Sequence, residues 1–555
     1  MRKPRILWCG ESTFLHTGYA IYGREVLNRL YQTGKYEIAE FSAFGNPDDP
    51  KIAELPWTYY SNMPTTDEEW ETYNSIPTNQ FGVWRFEDVC IDFKPDIVCD
   101  TRDWWMLNHE GHSIFRPFFH WMIMPAIDSV PLQNEWIETF QNADTLFTYS
   151  EFGKEAIESA SCGSIKVDNI CPPSANPHAF FPVPDKDKQK DVFGFMDDVQ
   201  IIGTVMRNQK RKLYPDLISS FSEFCKRFPE ISKNVYLYLH TSYPDIGWDI
   251  PRLINESGIS HKIILTYCCA GCNHVFPSFL TNAISCCPIC NSRKAMMPNA
   301  QHAVLEEWLG SIMNCFDLYV QYSICEGFGM PQVEAAACGV PVMAMDYSAM
   351  SSVIKNLGGM PIKIREFREM ETHTFRALPD NEDFISQLKD FFQLPKSVRL
   401  KLGHDTYNRC IKNYTWDETA SKWEQAIDNV DLKDHNDTWL SQPDIHQIPE
   451  NIPDPSVMSY DHFVSWCITN ILNKPERLNT LEHMKMLRNI NDGFMTEIFS
   501  IYTPKRKFEP YSATDLAYDI MKMRDIYNHW EEKRVSNYQV PDFILRAKRE
   551  VKNGQ

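Results

Sequence analysis

Short apolar runs alternate with amphipathic stretches along most of this 555-residue chain. Residues 5–9, 200–206 and 235–240 are apolar enough to form strands buried on both faces, as in a parallel sheet. Amphipathic segments with apolar residues at helical spacing follow most of these runs. The repeated strand–helix pattern predicts an α/β fold. Further strands are predicted at residues 36–44, 94–100, 118–126, 145–149, 262–267, 316–321 and 340–345.

The same pattern divides the chain into parts. Residues 1–185 and 196–430 each carry a series of strand–helix units, and residues 182–198 alternate proline with charged residues as a linker does. A polar, proline-rich stretch begins at 431, and amphipathic helical patterns follow it near residues 460–552. We therefore predict two Rossmann-like domains, followed by a linker and helical extension at 431–555.

Charge and cysteine content narrow the class of protein. The formal net charge is 55 − 74 = −19, which disfavours non-specific binding to nucleic acid or to an anionic membrane. No apolar run is long enough to span a membrane, and the apolar part of the amino terminus is too short for a signal peptide. The 17 cysteines without a secretion signal predict a reducing compartment, and we expect the protein in the cytoplasm (of a host cell if it is viral).

The most informative stretch runs from residue 322 to residue 347. A turn with Gly327 and Gly329 follows a predicted strand, and Pro331 suits the first position of a helix, where its missing N–H costs nothing. Gly339 is expected just past the end of this helix. The sequence therefore predicts a strand–turn–helix–strand unit with a glycine-rich turn at the end of the first strand.

This turn has the composition of a ligand site. Free amides of residues 327–332 would face the carboxyl edge of a parallel sheet, where they suit an anion such as phosphate. Glu326 precedes these amides and Glu334 lies eight positions later. Both carboxylates could accept hydrogen bonds from the hydroxyls of a sugar or ribose. The alternative is an ordinary strand–loop–helix of an α/β protein.

The residues Glu-Gly-Phe-Gly-x-Pro-x-x-Glu-Ala-x-Ala-x-Gly-x-Pro-Val, beginning at Glu326, closely resemble the nucleotide-sugar motif of retaining glycosyltransferases of family 4. That family has the two-domain GT-B fold, and the resemblance covers roughly residues 1–430. In the family the first Glu lies by the donor sugar, the second holds the ribose, and the intervening amides meet the donor phosphate and sugar. The resemblance implies these roles for Glu326, Gly327, Phe328, Gly329, Met330 and Glu334.

A basic segment and an early glycine loop extend the resemblance. Four cations lie within six residues at 207–212, after a predicted strand. Family members clamp the donor diphosphate with an Arg and a Lys at this spacing, which implies that role for Arg207 and Lys212, with Arg211 as a neighbour. The alternative is a solvated helix start, but cations there oppose the helix dipole. The family's glycine loop facing the donor phosphates corresponds to Gly18.

Candidate acceptor residues come from segments that leave the predicted strands of the first domain. Asp103 and His109 follow the strand that ends at Asp100, and ligands bind at such strand ends in open α/β sheets. His120 lies in the predicted strand 118–126, and Asp128 opens the next passage, which resembles part of the family; both are candidate cleft residues. The alternative is a capped loop whose tryptophans pack on the core.

Two Cys-x-x-Cys turns interrupt the family pattern at residues 267–296. Their spacing, Cys-x-x-Cys, fourteen residues, Cys-x-x-Cys, is typical of a zinc ribbon that binds Zn²⁺ through four thiolates. Four protein ligands leave no open position, so the zinc should be structural. Redox-active cysteines are the alternative, and Cys268 and Cys286 could replace their neighbours in another register. We expect the ligands to be Cys269, Cys272, Cys287 and Cys290, and the ribbon to border the substrate cleft.

The resemblance therefore implies a GT-B glycosyltransferase that uses a UDP-, GDP- or ADP-sugar with retention of configuration and no metal in the chemistry. The resemblance implies that Arg207, Lys212 and Glu326 carry the catalytic roles. The sequence leaves open whether the acceptor is a glycan, a protein, a small molecule or modified DNA, and whether the chain forms a homo-oligomer. Its rivals are a viral-type DNA-base glycosyltransferase, a non-catalytic zinc-ribbon scaffold with a degenerate core, and a phosphorylase of similar architecture.

Overall fold

The computed structural model describes residues 2–280, 286–299 and 302–440. The helices predicted near 460–552 lie outside these residues. The chain forms two compact units. Among the described residues, the first is built from 2–125, 133–147 and 423–440, and the second from 126–132, 148–280, 286–299 and 302–422.

Strands and helices alternate as the apolar pattern predicts. In chain order the strands are β1 (Arg5–Glu11), β2 (Glu37–Ala43), β3 (Thr58–Ser61), β4 (Ile97–Asp100), β5 (His120–Ile123), β6 (Thr145–Thr148), β7 (Asn169–Ile170), β8 (Gln200–Val205), β9 (Val235–His240), β10 (Ile263–Cys269), β11 (Val275–Phe279), β12 (Ala295–Met296), β13 (Leu318–Gln321), β14 (Val342–Met345), β15 (Met360–Ile362), β16 (Ile364–Arg368) and β17 (Phe375–Pro379). The α-helices are α1 (Gly18–Gln32), α2 (Asp67–Ser75), α3 (Phe86–Phe93), α4 (Trp104–Gly111), α5 (Asn134–Gln141), α6 (Glu151–Ala160), α7 (Lys186–Val192), α8 (Tyr214–Arg227), α9 (Pro229–Ser232), α10 (Ile250–Glu256), α11 (Glu306–Met313), α12 (Met330–Ala337), α13 (Ser348–Leu357), α14 (Asn381–Gln393), α15 (Lys396–Asn413), α16 (Trp416–Asp428) and α17 (His435–Leu440).

The first unit is built on a parallel sheet with strand order β3-β2-β1-β4-β5-β6. Helix α1 begins directly after the β1 loop, and the Thr17 side chain caps it by accepting a hydrogen bond from the amide of Ala20 at 3.3 Å. Strand order reverses between β1 and β4. The carboxyl ends of these two strands therefore border the crevice in which open α/β sheets bind ligands.

The second unit repeats this plan. Its sheet has the order β11-β10-β9-β8-β13-β14-β15, and the strands from β10 to β15 along this path are parallel. The short strands β11 and β12 run antiparallel to β10 and carry part of the cysteine-rich insertion. Strand order reverses between β8 and β13, so residues that follow these two strands lie at the ligand-binding crevice.

Three segments differ from the sequence prediction. Part of the predicted linker at 182–198 forms α7, because Lys190 is buried and its Nζ bonds Asp317 Oδ2 and the Val199 carbonyl, each at 2.7 Å. A lysine in a charged stretch of sequence can therefore be buried and paired inside the fold, which the sequence pattern alone does not show. The hairpin of β16 and β17 had no counterpart in the predicted elements. Residues 435–440, predicted as linker, are helical.

Among residues 2–280, 286–299 and 302–440, no helix combines the length and the apolar character that crossing a bilayer requires.

Candidate functional site

The loop after β8 and the turn after β13 are joined by backbone hydrogen bonds. The amide of Ile324 donates to the carbonyl of Arg211 at 3.0 Å, and Lys212 and Ser323 form an isolated antiparallel bridge. The Trp248 indole donates to the Lys212 carbonyl at 2.7 Å and fixes the loop from its other side. These contacts bring the basic segment and the Glu326 turn together at the point where strand order reverses.

Glu326 lies between two cations. Its Oε2 accepts from Arg211 Nη1 at 2.5 Å, its Oε1 makes a close ion pair with Lys212 Nζ, and Gln321 Nε2 donates to Oε1 at 3.2 Å. Glu326 and Lys212 are buried, whereas 38% of the Arg211 side chain is exposed. Burial alone would raise the pKa of Glu326, but the charges of Arg211 and Lys212 lower it to about 2. The carboxylate is therefore ionised at neutral pH, and the cluster keeps one net positive charge.

The amino end of α12 leaves its amides free of side-chain capping. Gly329 occupies the N-cap with φ of +90°, a backbone conformation that favours glycine, and no side chain caps the first turn. Pro331 is the second helical residue and needs no partner for its missing N–H. At the other end, Gly339 adopts φ of +66° just past the helix, as predicted. The first turn can therefore bind an anion through its amides.

Glu334 lies on the buried face of α12. It is 8% exposed, and no side-chain hydrogen bond or ion pair to it is present among the described residues. Burial raises the pKa of Glu334 to about 8, and the negative charge of Glu306 adds to the rise. A buried carboxyl without a partner is costly to a fold, which points to a ligand that supplies hydrogen-bond donors.

Replacing Glu334 with glutamine should stabilise the ligand-free protein at neutral pH. The folded pKa of about 8 exceeds the ordinary value of 4.5, so the wild-type fold loses stability as pH rises between these values. At pH 7 the ionisation of Glu334 in the unfolded chain lowers the free energy of unfolding by an amount on the order of 3 kcal/mol. Thermal unfolding from pH 5 to pH 8 should show a falling melting temperature for wild type and a much flatter curve for Glu334→Gln. Glu307→Gln, an exposed neighbour on α11, is the matched control and should retain the wild-type slope; an unchanged slope in Glu334→Gln would contradict the prediction.

Arg207 forms a different ion pair from those of Arg211 and Lys212. Its guanidinium pairs with Asp245, with Nε at 3.0 Å from Oδ2 and Nη2 at 3.1 Å from Oδ1, and 56% of its side chain is exposed. Among the residues of the basic segment, Arg211 takes the position beside Glu326 together with Lys212. The spacing of cations in the sequence could not separate these two arginines, because the choice depends on the bridge between the two loops.

Asp128 belongs to a second polar cluster in the same unit. Arg376 of β17 donates from Nη1 to Asp128 Oδ1 at 2.8 Å and contacts Cys325 Sγ at 3.0 Å, and the Cys325 thiol lies 3.1 Å from Asp128 Oδ2. Arg376 also pairs with Glu369 through Nε at 3.0 Å. The cluster holds the β16–β17 hairpin and the 126–132 segment beside the Glu326 turn. No local motif marks Arg376, which is 248 residues from Asp128 in sequence.

Gly18 and three of the candidate acceptor residues, Asp103, His109 and His120, lie in the first unit. Gly18 is the first residue of α1, at the carboxyl end of β1, and Asp103 precedes α4 at the carboxyl end of β4. His109 is 7% exposed and packs edge-on against Phe86 at 5.5 Å, so its ring is part of the core. His120 starts β5 at the amino edge of the sheet, away from the ligand-binding edge, and bonds Thr145 Oγ1 at 2.8 Å. The sequence placed His120 in a strand without showing which end it occupied.

The cysteine-rich insertion brings four sulfurs together. Cys269 and Cys290 have their Sγ atoms 3.6 Å apart, Cys272 and Cys287 have theirs 3.5 Å apart, and all four sulfurs lie within 4.8 Å of one another. A tetrahedral ion with metal–sulfur bonds of about 2.3 Å needs sulfur–sulfur distances of about 3.8 Å, so the set fits a metal ion. The thiol of Cys268 faces elsewhere, toward the carbonyls of Met296 and His302.

The two turns that carry these sulfurs have matching backbones. Asn273 and Asn291 follow the second cysteine of each turn and adopt left-handed conformations with φ of +57° and +55°. Their amides donate to the carbonyls of Cys269 and Cys287 at 2.8 and 3.0 Å. Asparagine tolerates this conformation better than most residues, which explains why each turn ends in Cys-Asn.

Part of the second unit matches a known protein family. A family model described as "Glycosyl transferases group 1" matches residues 291–367, which contain the Glu326 turn, α12 and β14. The matched segment is a small part of the chain and includes the turn and helix on one side of the crevice, but not Arg211 and Lys212. No curated protein has a sequence that matches this chain.

Solved structures of similar fold cover most of the chain. Sucrose-phosphate synthase from Thermosynechococcus elongatus is 17% identical with a TM-score of 0.56, over 77% of this chain and 98% of that one. A glycosyltransferase from Rickettsia africae is 13% identical with a TM-score of 0.51, over 78% and 100%. Anabaena HepE, solved in complex with UDP and glucose, is 11% identical with a TM-score of 0.53, over 77% and 100%. At these identities the likeness shows the fold alone, which is that of the GT-B glycosyltransferases.

Proposed function

We propose that this protein is a glycosyltransferase that moves a sugar from a nucleotide-sugar donor to an acceptor with retention of configuration. The convergence of Arg211, Lys212 and Glu326 at the crevice that also holds the uncapped end of α12 carries the proposal. Cationic side chains and free amides together suit a diphosphate, the leaving group of such a donor. The family match over this turn and helix supports the same function.

The proposed reaction breaks the bond between the anomeric carbon and the diphosphate oxygen, which leaves with the bonding electrons. Lys212, Arg211 and the amides of the α12 turn stabilise the charge that develops on this oxygen. The acceptor hydroxyl attacks from the face of departure and passes its proton to the leaving phosphate, so configuration is retained. The chain thus supplies the positive charge itself, and no metal ion is required for the chemistry.

The proposal also assigns functions to the other residues that were predicted to bind the donor. Glu326 orients hydroxyls of the donor sugar, and Glu334 accepts hydrogen bonds from the ribose. Arg207, exposed on the loop of Lys212, binds the diphosphate from its outer side. We propose Gly18 as a further donor contact, because it begins α1 at the ligand-binding edge of the first sheet.

A donor screen tests this function. UDP-glucose, GDP-glucose and ADP-glucose are tested for an upward shift in the melting temperature, and then for release of nucleoside diphosphate with and without candidate acceptors. One donor should give both signals, and NMR of the product should show the anomeric configuration of the donor. Binding without turnover of any donor would support a non-catalytic scaffold instead, and absence of both would remove the proposal.

We also propose that Cys269, Cys272, Cys287 and Cys290 hold a structural zinc ion. Four thiolates at tetrahedral spacing favour Zn²⁺ and leave no position for a substrate. The ion would fix the two Cys-x-x-Cys turns against β10, because Cys269 is the last residue of that strand. It takes no part in sugar transfer.

A further inference from the structure

Three aromatic rings form a cluster at the carboxyl edge of the first unit's sheet. Phe44 directly follows β2, Trp105 lies in the first turn of α4 after β4, and the Phe81 ring lies between them. The Phe81 centroid is 6.1 Å from that of Phe44 and 4.8 Å from that of Trp105, with both pairs nearly perpendicular. Phe81 is buried, whereas Phe44 is 39% exposed and Trp105 is 40% exposed. The cluster therefore exposes two aromatic rings that pack on a third, buried ring, and it lies beside the crevice between β1 and β4.

The backbone of Phe44 is held in an unfavourable conformation. Its φ is +65°, in the left-handed region that a bulky side chain rarely adopts. Such conformations persist where the surrounding fold enforces them, and they concentrate at ligand-binding sites. A half-exposed phenylalanine gains little from burial that would offset this cost, so packing alone does not account for the position.

The charges beside the cluster disfavour a phosphate-bearing partner. Residues 44–49 and 101–105, the two segments that bear the exposed rings, contain Asp48, Asp49 and Asp103. Their one cation, Arg102, is 2% exposed and paired with Asp100. Carboxylates accept hydrogen bonds from hydroxyls and repel phosphates or sulfates. Aromatic faces are electron-rich and attract the C–H groups of an apolar sugar face.

We propose that Phe44, Phe81 and Trp105 form an acceptor subsite that binds an uncharged carbohydrate by stacking. The inference rests on the proposed glycosyltransferase function and names the acceptor class: a neutral glycan, not a nucleic acid or a phosphorylated sugar. The exposed rings contact the apolar face of one sugar unit, and the carboxylates beside them accept from its hydroxyls. Phe81 acts as a positioning residue, since it is buried and sets the angle between the other two rings.

A glycan array probed with the labelled full-length protein tests this subsite. The array carries neutral oligosaccharides, sulfated and phosphorylated oligosaccharides, and single-stranded DNA. Wild type should bind a subset of the neutral oligosaccharides, and Trp105→Ala and Phe44→Gly should each weaken that binding about tenfold or more. Glycine accepts the left-handed backbone at residue 44, so this variant removes the ring without introducing strain. Trp105→Phe, which keeps a ring, should recover part of the binding.

Tyr31→Ala is the matched control. Tyr31 is 45% exposed in the same unit, but it lies near the end of α1, at the amino edge of the sheet. Neutral-glycan binding should be unchanged in this variant, as should release of nucleoside diphosphate from the donor. Binding that is insensitive to Phe44 and Trp105, binding of charged probes only, or no glycan binding by wild type would each overturn the subsite. If donor turnover persists in wild type and Tyr31→Ala, such a result removes this inference alone; if turnover is absent as well, the proposed function fails.

Discussion

Lys212→Ala is expected to lower donor-dependent release of nucleoside diphosphate by about a hundredfold to a thousandfold, the usual effect of removing one group that stabilises developing charge. Lys212 is buried and makes a close ion pair with Glu326 at the crevice. Its charge is thus held in a low-dielectric site, where it acts on a departing phosphate more strongly than a surface lysine would. The loss should be in kcat, measured with saturating donor, because the charge on the leaving oxygen is greatest in the transition state.

The same variant disturbs the balance of charge around Glu326. Without Lys212 only Arg211 offsets that carboxylate, so the pKa of Glu326 should rise and the fold should lose some stability. Circular dichroism and the melting temperature therefore accompany the assay. Lys210→Ala, an exposed lysine on the same loop, is the matched control and should keep wild-type turnover. A folded Lys212→Ala protein with wild-type turnover would overturn the assignment of the diphosphate site.

Glu334→Gln provides an independent test of the proposed donor site. The substitution should stabilise the free protein at neutral pH and yet weaken donor binding, because Glu334 can ionise when the donor binds and accept from the ribose hydroxyls through both oxygens, whereas glutamine stays neutral with one acceptor oxygen. If the variant is more stable but binds the donor more weakly, Glu334 serves ligand binding and not the stability of the fold. A structural role alone would move both in the same direction.

Most strands of the two parallel sheets could be predicted because each is a short apolar run, and burial on both faces of such a sheet requires one; the short strands β3 and β15 were not predicted. The strand β9 lies at residues 235–240, as predicted, and the helix after the Glu326 turn begins and ends beside the glycines that marked it. The capping of α6 by Ser150 was also predictable, because its hydroxyl bonds the amide of Gly153 three residues away. These features depend on neighbours in sequence.

Contacts between distant segments could not be predicted in the same way. The choice of Arg211 over Arg207 beside Glu326 depends on backbone bonds between two loops about a hundred residues apart. The ion pair of Arg376 with Asp128 depends on a hairpin whose short strands lack a strong apolar pattern. His120 illustrates a third limit: an apolar run locates a strand, but only the sheet order shows which edge each end faces.

The cysteine cluster supports a second prediction of large effect, on metal content and local stability. Wild type should contain one zinc ion per chain by plasma mass spectrometry, and Cys287→Ser should contain almost none, because three remaining thiolates bind Zn²⁺ orders of magnitude more weakly. Cys287 is the buried first residue of the second turn, and its carbonyl also accepts a hydrogen bond from the amide of Asn291. Loss of the ion should release this turn and expose residues 270–280 and 286–296 to limited proteolysis, while the parallel sheet from β9 to β15 stays folded.

Cys286→Ser tests the register of the ligands as well as the prediction. Cys286 is exposed and adjacent to Cys287, yet it lies outside the four-sulfur cluster. It should therefore retain one zinc and the wild-type pattern of proteolysis. Equal loss of zinc in both variants would favour a different ligand set, and full zinc in Cys287→Ser would remove the metal site altogether. Both substitutions replace a cysteine sulfur with oxygen. The contrast between the two variants therefore separates metal binding from a general need for thiols at this position.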